Sequence, residues 1–151
     1  MRRIFTLQGW LFYALEKWKD FFSGNTGILS DERQTGLYGE LFLIEHLDVT
    51  SRFVSDHATN ILMDITGKFP EDKEKLIRIA QRYLALSEVE QLNFRLGTLF
   101  RFFGYSPNYR NFEDFFNLEK RAEMQNLRDK MEAEEPGSSI KLLKQLSNGL
   151  V

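Results

Sequence analysis

The chain has 151 residues, with 20 Lys and Arg against 22 Asp and Glu for a formal net charge of -2, and this length suits one domain with a single core. That balance gives no global attraction to nucleic acid, so only a local basic patch could serve such a contact. The absence of cysteine from the sequence excludes disulfides, thiolate metal sites and cysteine nucleophiles, and fits a reducing compartment.

In chain order, Leu7, Trp10, Leu11, Ala14, Leu15, Trp18, Phe21 and Phe22 recur at the three and four spacing of one helix face. Glu16, Lys17, Lys19 and Asp20 interrupt this stretch before any apolar run reaches the ~20 residues of a membrane span. No small-residue cleavage site follows. The expectation is a cytoplasmic protein with no membrane partner. The turn chemistry of SGNTG at 23–27 ends the first helix, and Ser30 is placed to cap a second, with Asp31 and Glu32 in its first turn. Thr50 or Ser51 predicts a third helix whose apolar residues, Phe53, Val54, Ala58, Ile61, Leu62 and Ile65, run until Gly67. Pro70 opens a fourth carrying Leu76, Ile77, Ile79, Ala80, Tyr83 and Leu84. Ser87 and Glu90 form a capping box for a fifth, which Gly104 closes. A sixth helix is predicted over 111–134, then a linker at EEPGSS and a short terminal helix with Ile140, Leu142, Leu143 and Leu146. No segment alternates cleanly enough for a strand. The expected fold is all-α, a single compact domain of five to seven helices, with a helical domain over 1–133 and a linker plus terminal helix over 134–151.

On the second predicted helix, Leu37, Leu41, Ile44 and Leu47 share a stripe at 100° per residue, and Glu40 projects among them. A carboxylate on that side requires a donor, a wet cleft or a cation. Gly36 and Gly39 each cost about 1 kcal/mol relative to alanine in a helix; close approach of another helix would account for them, with Arg33, or a tryptophan or tyrosine of the first helix, a candidate donor to Glu40.

The string LSDERQTGLYGELFLIEHL, preceded by LEKWKDFF, resembles the opening of a bacterial branch of the PD-(D/E)XK nuclease-like superfamily, and FRLGTLFRFFGYSPNYRNFEDFF is similar to a segment downstream of the core in that branch. The resemblance implies that a helix before the catalytic strands carries a glutamate organising the metal site; the matching position, and the candidate catalytic residue, is Glu40. Superfamily chemistry also requires an aspartate on one strand and a Glu-x-Lys pair on the next, to hold Mg²⁺ and steady the attacking water. Here LFLIEHLDVT leads almost directly into residues of helical period. Glu71, Asp72 and Lys73 satisfy the Glu-x-Lys spacing, with Asp64 upstream, but Pro70 and the following period read as a helix N-terminus. The chain therefore resembles the flanks of a nuclease-like fold without its catalytic middle. The expectation leans away from an enzyme and includes no cofactor, Mg²⁺ entering only if the nuclease reading holds.

The two histidines, His46 and His57, have no second ligand at helical spacing, so no metal site is expected. GNTGILS lacks the lysine of a phosphate loop. Arg95, Arg101 and Arg110 interleave with Phe94, Phe102, Tyr105 and Tyr109, a composition that pairs phosphates with stacked bases and makes the three arginines candidate nucleic-acid contacts. A core-filling role for the phenylalanines stands beside it. Two functions remain open: a non-catalytic relative of the nuclease-like proteins in nucleic-acid or defence contexts, or a helical module that binds a protein partner, or a second copy of itself, through an aromatic docking surface.

Overall fold

The computed structural model describes residues 29, 32–55, 61–62 and 65–149. The helix expected over 7–22 lies outside them, as do His57 and Asp64. The described elements are α1 (Glu32–His46), β1 (Arg52–Ser55), β2 (Ile65–Lys68), α2 (Lys73–Leu84), α3 (Glu88–Phe103), a 3-10 turn (Glu113–Phe116), α4 (Leu118–Glu134) and α5 (Ser138–Asn148). Among the described residues the fold is mostly helical, with one short hairpin.

Helix α1 buries Leu37, Leu41 and Ile44 as the wheel requires, and also Gln34 and Phe42. It packs on α2. A Cβ added at Gly36 would meet nothing within 4 Å, which corrects the close helix approach expected there; Gly39 is buried. Lys73 Nζ, at the start of α2, donates to the Leu47 carbonyl at 3.2 Å and satisfies one of the orphan acceptors at the end of α1.

The third predicted helix is not seen in its described residues. Its two ends are instead an antiparallel pair in the register Phe53↔Gly67 and Val54↔Thr66, extended by the Phe69 N–H donating to the Ser51 carbonyl at 2.7 Å. The Phe53 and Phe69 rings meet at 5.9 Å. Phe53, Val54, Ile65 and Thr66 are residues that suit a pleated surface. Four-residue strands put only two side chains on each face, too few for the alternation to declare itself. Gly67 is a paired strand residue rather than a helix stop, and a Cβ there would lie 2.8 Å from Asp72 Cβ and 3.1 Å from Leu76 Cδ1. Only glycine lets the hairpin close this tightly on α2.

Along α2, Leu76, Ala80 and Tyr83 form the buried stripe. Helix α3 begins with the expected capping box, in which Ser87 N–H donates to Glu90 Oε2 at 3.1 Å and Glu90 N–H to Ser87 Oγ at 3.3 Å. It ends at Gly104 in the left-handed region, φ 72°. Every residue from 91 to 100 is buried, so α3 has no solvent face along its middle and forms the centre of the core. Most polar side chains of that stretch are bonded there, although Asn93 Oδ1 has no partner among the described residues. Gln91 accepts from Gln34 Nε2 at 3.2 Å and donates to the Leu86 carbonyl at 3.1 Å, and Tyr83 Oη donates to Gln34 Oε1 at 3.2 Å, knitting α1, α2 and α3 together.

The long helix expected over 111–134 is divided. Asn117 has extended backbone and its side chain accepts from the Lys120 N–H at 3.0 Å, capping α4 afresh. The 3-10 turn before it drives Phe112 and Phe115 onto Phe94, with ring centroids at 5.4 and 5.6 Å. Helix α5 packs on α3 and α4 and buries Leu143 and Leu146. Its N-terminal residue before the first turn, Gly137, has no side chain to cap it; Glu132 of α4 accepts instead from the Gly137 N–H at 2.8 Å, the Ser139 N–H at 3.2 Å and the Ser139 hydroxyl.

Candidate binding surface

The C-terminal end of α3 emerges from the core into solvent, because the buried stretch stops at Phe100. Beyond it Phe102, Phe103 and Tyr105 are 39, 36 and 51% exposed. Phe103 and Tyr105 stack with centroids 6.2 Å apart, and Tyr105 meets Phe100 edge-on at 5.6 Å. The Arg101 guanidinium lies 4.8 Å over the Phe102 ring, a cation–π arrangement that holds the charge beside the aromatic face.

Arg101 Nη1 also donates to the backbone carbonyl of Arg110, which brings these two predicted residues together. The loop carrying Arg110 is held by its own N–H donating to Asp114 Oδ2 at 3.0 Å, by Asp114 N–H donating to Asn111 Oδ1 at 2.9 Å, and by Lys120 Nζ bonding Asp114 Oδ2 at 3.0 Å. The Arg110 N–H bonded to its carboxylate, with Lys120 in support, holds Asp114 below the usual carboxylate range. The Arg110 side chain is exposed, and among the described residues it makes no hydrogen bond or ion pair.

The other predicted contacts are elsewhere. Arg95 is 3% exposed and donates from Nη1 to the Leu29 carbonyl at 3.3 Å; it sits in the interior, where no phosphate reaches, because its helix is buried all round. Phe94 and Tyr109 are likewise core residues, at 2 and 0% exposure. Glu40 is half-buried on α1. Arg33 Nη2, a candidate donor to it, donates to the Ser147 carbonyl at 2.9 Å and ties α1 to the end of α5. Asp72 Oδ2 accepts from the Lys68 N–H at 2.9 Å, so Glu71, Asp72 and Lys73 belong to the hairpin-to-helix turn. Among the described residues no group of three or more His, Asp or Glu side chains is gathered as a metal site. No described helix is long and apolar enough to cross a membrane.

Sequence reasoning did not anticipate a cleft of about 130 Å³ between the hairpin, α2, α3 and the Arg110 loop. Its apolar lining includes Ile61, Ile65, Ile79 and Phe112, and Thr98, Arg110, Asn111 and Glu113 complete it. The run FRFFGY was the legible signal for the exposed end, since aromatic residues at 100, 102, 103 and 105 cannot all face one core.

Comparisons with protein-family models, with curated proteins and with solved structures return no match.

Proposed function

We propose that the chain is a non-catalytic, mostly helical binding protein related to the bacterial PD-(D/E)XK nuclease-like group, contacting single-stranded nucleic acid through the end of α3. The relationship rests on the sequence resemblance around Glu40. The contact rests on one observation, the Arg101 guanidinium held over the exposed Phe102 ring and bonded to the Arg110 backbone, with Tyr105 exposed at the same end of α3. Guanidinium groups neutralise phosphates while rings stack on bases without regard to sequence. With no cysteine in the sequence, the protein is assigned to the reducing cytoplasm, in a nucleic-acid or defence context and with no cofactor.

Fluorescence anisotropy with a labelled single-stranded oligonucleotide at several salt concentrations tests this. Arg101→Ala with Arg110→Ala should weaken binding and flatten the salt dependence by about 0.7 in the log–log slope for each phosphate no longer neutralised, with the circular dichroism spectrum unchanged. Unaltered binding in the double variant would sink the reading.

The exposure of Phe102, Phe103 and Tyr105 favours a second reading, an aromatic docking surface for a protein partner or a second copy, since interface centres are rich in aromatic residues and arginine. Salt-insensitive self-association that disappears in Phe102→Ala would select it.

A further inference from the structure

The cleft beside Arg110 has a composition that the proposed surface does not use. Its floor is formed by Ile61, Leu62 and Ile65 of the hairpin region and by Phe94 and Phe112, all less than a tenth exposed, with Ile79 of α2 completing the wall. At about 130 Å³ it is close to the size of apolar cavities that take up one benzene-sized group.

The polar groups of its lining are not balanced in charge. Glu113 is paired with Arg82 at 3.0 Å, which neutralises the one acid of the lining. Thr98 commits its hydroxyl proton to the Phe94 carbonyl at 2.9 Å. Asn111 commits Oδ1 to the Asp114 N–H, which leaves its Nδ2 donors without a partner among the described residues. The Arg110 guanidinium is also without a hydrogen bond or ion pair among them, and its backbone is pinned by Asp114 and Arg101. An apolar floor under two available donors, one of them cationic, complements a compact hydrophobic body bearing a single anionic head.

We infer that this cleft binds a small monocarboxylate with a benzene-sized or branched-alkyl body, the body lying on Ile65, Ile79 and Phe112 and the carboxylate meeting Arg110 and Asn111. The affinity of so small a ligand lies on the order of millimolar. The charged head adds selectivity more than strength, since Arg110 is exposed and its pairing is screened. The inference does not depend on nucleic-acid binding, although Arg110 belongs to both surfaces.

The probe is phenylacetate, followed by methyl NMR of the isoleucines in the whole chain, with 2-phenylethanol as the neutral counterpart. Phenylacetate should shift the Ile61, Ile65 and Ile79 methyl signals saturably and bind about three- to fivefold more tightly than the alcohol. Arg110→Gln, at an exposed position, should remove that preference while leaving alcohol binding as it was. Ile79→Phe should fill the cleft and abolish both, while oligonucleotide binding is retained. Methyl signals that do not move, or equal affinity for acid and alcohol that Arg110→Gln leaves unchanged, would overturn the inference.

Discussion

The Tyr109 ring rests directly against Gly97, so that a Cβ on Gly97 would overlap Cδ2 and Cε2 of the ring and lie 3.1 Å from Met124 Cε. The contact is fastened by the Tyr109 N–H, which donates to the Gly97 carbonyl at 3.0 Å. Neighbouring rings hold Tyr109 in place, Phe94 stacked at 6.2 Å and Phe115 edge-on at 5.5 Å. One missing side chain in the middle of α3 thus admits the loop that leads on to Arg110 and the cleft.

Gly97→Ala should therefore destabilise the fold. Alanine gains about 1 kcal/mol of helix propensity, but the ring cannot retreat between Phe94 and Phe115, and overpacking of this kind costs typically 1–3 kcal/mol more than a relaxed site. Because the added Cβ would overlap the ring itself, the cost falls at the upper end, and a net loss of about 2 kcal/mol should appear as a lower urea midpoint. An unchanged midpoint would mean that the loop moves away freely.

Burial pushes the Tyr109 phenol up from 10.0 to about 12. Its neutral form is favoured by folding, so the associated stability is complete below pH 10 and is lost as pH rises toward 12. Alkaline unfolding of the wild type should be steeper than that of Tyr109→Phe across this window. Parallel curves for the two proteins would contradict the assignment.

At the other end of the pH scale, the hydrogen bonds from the Ser139 hydroxyl and the Gly137 N–H hold Glu132 below the usual carboxylate range. A lowered folded pKa gives stability that is present above the unfolded value and lost as pH falls through the folded one. Melting temperatures measured between about pH 5 and pH 2 should fall less steeply for Glu132→Gln than for wild type. Loss of α5 packing, read from Leu143 and Leu146 signals, should accompany the acid transition.

Under the proposed function, purified protein incubated with DNA and Mg²⁺ or Mn²⁺ should leave it intact. Cleavage that disappears in Glu40→Gln would reverse the proposal and make Glu40 a catalytic residue.

Some of this architecture is written in short stretches of sequence. Ser87 and Glu90 start α3 and Gly104 stops it, because capping and left-handed backbone are decided within a few residues. Leu37, Leu41 and Ile44 likewise reveal the buried side of α1, since helical spacing alone aligns them. The Arg101 end of α3 was partly legible in its aromatic excess.

Only the tertiary structure decided the rest. Residues 52–68 carry apolar side chains that satisfy a helical period, yet cross-strand pairing and the tight fit of Gly67 on Asp72 and Leu76 make their ends a hairpin. Arg95 reads as a candidate phosphate contact because the arginines of this stretch interleave with aromatic residues, but α3 is enclosed by elements distant in the chain, and Leu29 supplies an acceptor that a buried guanidinium needs. The cleft likewise depends on Ile65, Ile79 and Arg110 meeting across three separate segments. Capping and periodicity act within one segment, whereas burial of a whole helix and the shape of a cavity depend on which segments meet, and no local pattern encodes that.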